Sequence, residues 1–396
     1  QIPAVLHLIR IGYTYLSRKS QEIIERDSET NILVSIFREQ YRKLNNYATD
    51  MDFERDLNNI KLELNQNDLG RAFYNRIQGD GGATYIDWNN PEANTFHVAM
   101  EVSCQNGNDE FRPDVMIFIN GLPLSYIEVK QPNAIRDGKT GIQSEQNRTR
   151  YRFENKKFRR FNNITQFISF SDNSYYVSGQ GGQKQGSYYC SNAFSKTKFN
   201  AFKEEREVDF LHSFQTLTQD DIEYVLEDMN QLPLQTLPEF ATNMQPDTPC
   251  NSFLTSLYQK ERLFFMLRFG LAYVEEEGKD GQRQLQKHIM RYPQYFATRA
   301  IKDMISKGIK KGVIWHTQGS GKTALAYFNI RYLKNYFSKK RVIPKFYFVV
   351  DRLDLADQAY REFAKRGLQV KRINKLKELN QKHDGYDVAV VNIQKF

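Results

Sequence analysis

The alternation of helix-like and strand-like segments after about residue 285 constrains the fold of this chain more than any other feature of its 396 residues. Apolar residues spaced every three to four positions alternate there with short, uninterrupted apolar runs. Such runs are typical of parallel strands buried on both faces. We therefore expect an α/β domain with a doubly wound parallel sheet. The helix-like segments are TRAIKDMISKG, KTALAYFNIRYLKNYF and DLADQAYREFAKRG, and the strand-like segments are GVIWH, KFYFVVD and DVAVVNI.

A glycine-rich loop, HTQGSGKT at 316–323, lies between the first of these strands and the next helix. Glycines in this position let backbone N–H groups surround a phosphate, and the helix N-terminus adds a positive dipole. Lys322 is expected to reach the β- and γ-phosphates of a nucleotide, and Thr323 to bind its Mg²⁺. The strict pattern has glycine where this chain has His316. An accidental glycine-rich turn is the alternative.

Three further polar positions bear on a nucleotide or nucleic-acid site. Gln294 lies at the head of a helix, where a carboxamide can read the donor and acceptor edge of adenine; a surface glutamine is the alternative. Asp351 and Arg352 end a strand at the edge where parallel sheets present ligand-binding groups, or they only cap the next helix. Gln394 and Lys395 end the last strand and suit a phosphate backbone, or only solvent. The residues predicted to bind a nucleotide are Gln294, Thr317, Gly319, Ser320, Gly321, Lys322 and Thr323.

A second chemical signal is the hairpin-like stretch FRPDVMIFINGLPLSYIEVK at 111–130, in which two apolar runs carry charges at their far ends. An unpaired buried charge is costly, so these charges lie either on a solvated face or in a site that holds them together. Asp114 and Glu128 offer the carboxylate oxygens that Mg²⁺ prefers, and the main-chain oxygen of Val129 offers another. Lys130 projects from the same strand face as Glu128.

The register of this hairpin tests the site. A two-residue turn at Asn120 and Gly121 places Asp114 opposite Ile127, so that Asp114 points away from Glu128. An odd-numbered loop or a β-bulge brings the two carboxylates onto one face, and a left-handed Gly121 fits such a device. A plain hairpin with solvated charges is the alternative.

The stretch RTRYRFENKKFRRF at 148–161 holds seven basic and four aromatic residues in fourteen positions. Basic side chains bind phosphates and aromatic ones stack on bases, which indicates contact with nucleic acid. A surface helix with snorkelling side chains is the alternative. The predicted contacts are Arg148, Arg150, Arg152, Lys156 and Lys157, joined by Gln394 and Lys395.

Composition sets outer limits on this chain. Its length favours two or more domains, and 40% apolar with 26% charged residues is typical of a soluble globular protein. No apolar run is long enough to cross a membrane. The net charge of +9 permits a polyanionic partner without requiring one. The three scattered cysteines favour a reducing cytoplasm over a disulfide scaffold or a zinc site.

Taken together, these motifs resemble a known family. Gln294, the loop at 316–323 and the strand ends at 351–352 and 394–395 resemble the motor motifs of superfamily-2 helicases and translocases. WHTQGSGKT followed by FVVDRLDL resembles more narrowly the restriction (R) subunit of type I restriction–modification enzymes. PD, thirteen intervening residues and EVK resemble the PD-(D/E)xK nuclease motif, and NGLPLSYIEVK is similar to the nuclease domain of the same subunits.

The resemblance implies an α/β architecture in three parts. A mixed-sheet, restriction-endonuclease-like domain is expected over 1–240, a helical connector over 241–284, and an incomplete RecA-like ATP-binding translocase lobe over 285–396. The implied cofactors are ATP and Mg²⁺. We expect the chain to be a fragment, because the acidic motor motif and the second motor lobe of the family lie outside it.

The resemblance also implies roles for particular residues. Asp114 and Glu128 become metal ligands, and Lys130 becomes the catalytic lysine. The family often adds a Gln-x-x-x-Tyr motif, for which the nearest candidates are Gln146 and Tyr151, one residue too far apart. An acidic residue that the family carries on its first helix is not evident here.

The implied function is ATP-dependent translocation along double-stranded DNA, coupled to Mg-dependent cleavage away from the recognition site. Modification (methyltransferase) and specificity subunits are the implied partners, and the recognition sequence resides with them. Two alternatives are a stand-alone DNA-repair nuclease–helicase and a non-cleaving, ATP-regulated DNA-binding module. The complete set of Asp114, Glu128 and Lys130 argues against the last of these.

Overall fold

The computed structural model describes residues 1–80, 82–132, 135–136, 138–175, 185–193, 197–204, 214–277, 281–317, 319–375, 378 and 385–395. The chain divides into two compact units, Gln1–Arg268 and Phe269–Phe396. The expected three-part division at residues 240 and 284 stays a prediction. None of the described helices combines the length and apolarity that crossing a membrane requires.

The first unit is built on a mixed seven-stranded sheet. Its strands are β1 (Thr14–Tyr15), β2 (Phe96–Met100), β5 (Val115–Ile119), β6 (Leu122–Val129), β9 (Phe167–Ser171), β10 (Ser187–Cys190) and β11 (Asn200–Ala201). Two small antiparallel pairs lie outside it: β3 (Cys104–Asn106) with β4 (Asp109–Phe111), and β7 (Ile135–Arg136) with β8 (Lys139–Thr140). The strand order is β1-β2-β5-β6-β9-β10-β11.

The charged hairpin lies at the centre of this sheet. β5 pairs antiparallel with both β2 and β6, whereas β6 pairs parallel with β9. All residues of β5, and all of β6 except Val129, are buried. A central strand covered on both faces requires such an apolar run. Charged residues at the ends of β5 and β6 therefore lie next to buried residues.

Helices surround the sheet of the first unit. They are α1 (Ile2–Arg10), α2 (Gln21–Ile24), α3 (Val34–Leu44), α4 (Asp50–Leu64), α5 (Arg71–Asn75), α6 (Gly141–Glu154), α7 (Arg159–Ile164), α8 (Gln219–Asp228), α9 (Pro238–Asn243), α10 (Pro249–Tyr258) and α11 (Lys260–Phe269). α6 starts at a capping box, in which Thr140 and Gln143 satisfy each other's backbone N–H groups. The core includes the stacked rings of Tyr126 on β6 and Phe161 on α7. Ile142 of α6 belongs to the same core, which packs α6 against the first unit's sheet.

The second unit contains a parallel three-stranded sheet in the order β14-β16-β15. Its strands are β14 (Tyr347–Val350), β15 (Val370–Ile373) and β16 (Val388–Asn392). Its helices are α12 (Tyr292–Ser306), α13 (Lys322–Ser338) and α14 (Leu353–Ala364). Strands and helices alternate as the apolar pattern indicated, and the predicted α/β class with a mixed sheet and a parallel sheet is confirmed.

Two local expectations differ from the structure. The predicted buried strand at 312–316 is wrong: these residues form no strand, and Val313 and Trp315 are about nine-tenths exposed. An apolar run becomes a strand only where a neighbouring strand takes up its hydrogen bonds, and none of the described strands pairs with it. The connector expected to be helical ends in an antiparallel hairpin of β12 (Leu271–Glu277) and β13 (Arg283–Ile289).

Candidate functional site

The β5–β6 hairpin combines a two-residue turn with a bulge. Asn120 and Gly121 both have left-handed backbones, with φ of 52° and 80°, as tight hairpin turns favour. Ile119 pairs with Leu122, but the register shifts one step further on, so that Ile117 pairs with Ser125. The bulged residue reverses the facing of every residue beyond it.

Because of this bulge, the charged ends of the hairpin meet. The ladder pairs Val115 with Ile127, so its next step brings Asp114 beside Glu128. Asp114 Oδ2 accepts a hydrogen bond from the Val129 N–H (2.8 Å) and one from Lys130 Nζ (3.1 Å). Lys130 Nζ also donates to Glu128 Oε2 at 3.0 Å. The structure thus brings the predicted triplet together by the device that its register requires.

A third carboxylate, which the sequence analysis missed, completes the cluster. Glu145 on α6 is 1% exposed, and its Oε2 lies 3.3 Å from Lys130 Nζ. Its Oε1 lies 2.9 Å from the guanidinium of Arg152, which also lies 3.4 Å from Glu128 Oε1. An acid and two bases at i, i+3 and i+7 (Glu145, Arg148, Arg152) share one helix face. That spacing was the available signal.

The electrostatics of this carboxylate cluster (Asp114, Glu128 and Glu145) follow from its burial. Burial, and then the neighbouring carboxylates of Glu145 and Asp114, raise the pKa of Glu128 from 4.5 to about 8. Burial opposes the charge on Lys130, yet the three carboxylates raise the pKa of its ammonium above the usual value. Lys130 therefore keeps its positive charge among the carboxylates, whereas Glu128 ionises only at a higher pH than a free glutamate.

The donor set suits a hard cation, and the Lys130 ammonium now lies among these donors. Carboxylate oxygens of Asp114 and Glu128 are ligands that Mg²⁺ prefers. In the described part of the chain, however, no three His, Cys, Asp or Glu side chains form a ready metal-binding group. The ammonium of Lys130 lies where the carboxylates of Asp114, Glu128 and Glu145 converge. A metal ion would have to take that place.

The two Gln-x-x-x-Tyr candidates lie on different sides of α6. Gln146 is 3% exposed, whereas Tyr151 on the same helix is 73% exposed. Five residues along an α-helix correspond to a rotation of about 140°, which separates the two side chains. The structure leaves Tyr151 on the solvent side.

The basic segment 148–161 is divided between internal and external charges. Arg148 and Arg152 pair with Glu145, and Arg152 stacks 3.7 Å above the ring of Phe111. Lys157 pairs with Asp109 at 2.9 Å. Within the described residues, Arg150 and Lys156 make no ion pair, and Arg150 lies over the ring of Phe199. These two are the predicted contacts whose charge is not already balanced.

In the second unit, Gln294 is tied to the glycine-rich loop. It is 3% exposed, so the surface-residue alternative is wrong. Its Oε1 accepts a hydrogen bond from the backbone N–H of Arg291, and its Nε2 donates to the carbonyl of Gly321, each at 3.0 Å. One amide hydrogen and further oxygen lone pairs stay free for an adenine edge. That reading stays a prediction.

The loop itself leads directly into α13. Gly319 and Gly321 have positive φ values of 76° and 84°, and Gly321 is the N-cap of the helix that starts at Lys322. The Ser320 N–H donates to the Thr317 carbonyl at 3.3 Å. Lys322 is exposed. The nearby side chain of Thr323 is half-buried.

The strand-end predictions have a simpler outcome. Asp351 and Arg352 are exposed and precede α14, of which Arg352 is the N-cap without a side-chain cap. Gln394 lies in a short 3-10 turn, Ile393–Lys395, and is exposed. The side chain of Lys395 lies outside the described part of the structure. DNA contact by these residues stays a prediction.

Comparison with known proteins agrees with this division. Residues 1–186 match the family "Type I restriction enzyme R protein N terminus", and residues 293–396 match the SWI2/SNF2 ATPase family. Two similar proteins of Methanocaldococcus jannaschii are the putative type I restriction enzyme MjaIXP and MjaVIIP endonuclease subunits. The first is 24% identical over 99% of this chain and 36% of that relative. The second is 28% identical over 69% of this chain and 21% of that relative.

A mixed-sheet unit of a restriction-enzyme family, followed by an ATPase-family unit with a parallel sheet, is the class of protein that the fold and these matches define. Within that class the similarity points to the restriction (R) subunits of type I restriction enzymes, whose N-terminal family model matches residues 1–186, as the motifs indicated. It spans between 21% and 36% of the length of the curated relatives named above.

Proposed function

We propose that the protein to which this chain belongs uses ATP to move along double-stranded DNA and cuts that DNA with a Mg²⁺-dependent nuclease site. The observation that carries the proposal is the contact of Lys130 Nζ with both Asp114 (3.1 Å) and Glu128 (3.0 Å) beyond the bulge of the hairpin. Two carboxylates can hold a metal ion for phosphodiester hydrolysis, and a lysine beside them can stabilise the charge that develops on the phosphate.

The roles of the three residues follow from their charge. Asp114 and Glu128 would hold Mg²⁺ with the Val129 carbonyl, and a bound ion would activate water and neutralise charge on the phosphate. Lys130 would orient the water or stabilise the pentavalent phosphate, because its ammonium stays charged. Hydrolysis exchanges one P–O bond to a sugar for one to the water oxygen, and the leaving oxygen takes up a proton.

The ATPase half of the proposal rests on the loop at 316–323. Its positive-φ glycines precede α13, so backbone N–H groups and the helix dipole can receive phosphates. We assign Lys322 to the phosphates, Thr323 to Mg²⁺ and Gln294 to adenine. Thr317, Gly319, Ser320 and Gly321 would complete the phosphate contacts.

For partners, we propose double-stranded DNA together with modification and specificity subunits of the same restriction system. Among the predicted contacts of segment 148–161, Arg150 and Lys156 are the described residues whose charge is available to phosphates. We also propose a cytoplasmic location, since Cys104, Cys190 and Cys250 are all free and buried thiols.

The test compares Asp114→Ala and Lys322→Ala in the full-length protein assembled with its partner subunits. We expect Asp114→Ala to abolish Mg²⁺-dependent DNA cleavage while leaving ATP turnover intact. Lys322→Ala should abolish both, because cleavage depends on translocation. Cleavage is measured on supercoiled plasmid carrying a recognition site, and ATP turnover by phosphate release.

Asp109→Ala is the matched control, since Asp109 is an acid on the neighbouring strand β4 whose partners are Asn155 and Lys157 and not the carboxylate cluster. It should leave cleavage unchanged. If Asp114→Ala still cleaves DNA, Asp114 is not the metal ligand that we propose. Co-purification with a methyltransferase separates the restriction subunit from a stand-alone repair nuclease–helicase.

A further inference from the structure

Lys130 is shared among three carboxylates that come from different elements. Asp114 precedes β5, Glu128 lies on β6, and Glu145 lies on α6. The Nζ atom of Lys130 is 3.1 Å, 3.0 Å and 3.3 Å from their oxygens. If Asp114 and Glu128 are metal ligands, they cannot serve at the same time as the main acceptors of this ammonium. Only Glu145 then remains to hold it.

Glu145 is well fixed for that task. Its carboxylate is 1% exposed and lies 2.9 Å from Arg152 and 3.3 Å from Arg148. Arg152 is itself immobilised over the ring of Phe111 at 3.7 Å. Arg152 therefore anchors Glu145 on its helix, with the exposed Arg148 beside it, whereas Asp114 and Glu128 lie at the ends of strands.

We propose that Glu145 is a positioning residue, which retains the Lys130 ammonium at the cleavage site when Asp114 and Glu128 turn to a divalent cation. The inference rests on the proposed nuclease function. Glu145 acts through Lys130 and is not itself assigned to the metal.

The first test is a double-mutant cycle of Mn²⁺ affinity. Electron paramagnetic resonance measures that affinity on the full-length protein without nucleotide. Lys130→Ala should raise Mn²⁺ affinity, because a competing cation is removed. Glu145→Gln should lower it, about 10- to 100-fold, because the freed ammonium stays on Asp114 and Glu128. In the Lys130→Ala background the loss caused by Glu145→Gln should be several-fold smaller.

Equal losses in both backgrounds would overturn the proposal, since Glu145 would then act on the cation directly or through its general field. A second measurement is the rate of DNA cleavage. Glu145→Gln should lower kcat about 10- to 100-fold with little change in KM for DNA, and Glu145→Asp should restore part of it. Unchanged kcat in Glu145→Gln would equally overturn the proposal.

Asp56→Asn provides the control for a purely structural role. Asp56 is a buried acid of the same unit, held by the hydroxyls of Tyr41 and Tyr85. It should lower thermal stability while leaving kcat and Mn²⁺ affinity unchanged. If the wild-type protein neither binds Mn²⁺ nor cuts DNA, the proposed function fails and this inference with it. If the wild-type protein binds Mn²⁺ and cuts DNA, and Glu145→Gln does so equally well, only this inference fails.

Discussion

The carboxylate cluster of the first unit and the glycine-rich loop of the second differ in how the chain assembles them. Lys130 already contacts both Asp114 and Glu128, held by a sheet ladder and by partly buried ion pairs. The loop at 316–323 follows an exposed segment without strand structure, and Lys322 is exposed. A site made of opposite charges supplies its own attraction, whereas a phosphate loop supplies mainly donors. The charges of the first therefore hold one another in the structure, whereas Lys322 would gain a charge partner only from the proposed phosphates.

Glycine substitutions test this comparison most severely. Gly121 and Gly319 have similar φ values, 80° and 76°. A Cβ at Gly121 would lie 2.7 Å from the Leu33 carbonyl oxygen and the Phe37 nitrogen, whereas no described atom lies within 4 Å of one at Gly319. We expect Gly121→Ala to cost about 2–6 kcal/mol through strain plus overpacking. Gly319→Ala should cost about 1–2 kcal/mol.

Amide hydrogen exchange read by mass spectrometry follows each unit separately. Gly121→Ala should raise exchange across β5 and β6, and Gly319→Ala should raise it only around the loop. Similar losses from both substitutions would mean that the close approach at Gly121 does not govern the hairpin.

The pH dependence of stability probes the charges of the cluster. The pKa of Glu128 is raised to about 8 from 4.5, so between these values the folded protein holds a proton that the unfolded chain has released. Stability therefore falls as pH rises through this window, by at most about 1.4 kcal/mol per pH unit. Glu128→Gln should remove that fall in the metal-free protein, as measured by urea denaturation at successive pH values.

Asp228→Asn is the control for this pH series. Burial opposes ionisation of Asp228, but hydrogen bonds from Ser17 and Tyr15 lower its pKa below 3.8. Its contribution is present above the unfolded pKa and is lost only as pH falls below it. The difference between wild type and Asp228→Asn should stay flat from about pH 5 to 8. A wild-type minus Glu128→Gln difference that is equally flat would contradict the role given to burial.

Some parts of the site could be predicted from the sequence and others could not. The facing condition on Asp114 and Glu128 followed from period-two alternation, and the structure meets it. The sequence did not predict which backbone feature produces this facing, because an odd-numbered loop and a β-bulge give the same result. Pro123 was a usable sign, since proline lacks the N–H of a regular ladder and favours bulges. The role of Glu145 was not predicted, because contact between α6 and β6 depends on tertiary packing. The strand predicted at 312–316 was wrong for a similar reason, since strand pairing also depends on tertiary structure.

The smallest expected effect concerns DNA, and it separates two adjacent lysines. Lys157 donates to Asp109 at 2.9 Å, whereas Lys156 is exposed and makes no ion pair within the described residues. If Lys156 contacts a phosphate, Lys156→Ala should reduce the slope of log K against log salt by about 0.9. Lys157→Ala should reduce it by less, because a phosphate must first displace Asp109. Fluorescence anisotropy with labelled duplex DNA, over a series of salt concentrations without ATP, measures both slopes. Equal reductions would show that DNA responds to the general charge of the segment, so that internal pairing does not select the residues that bind.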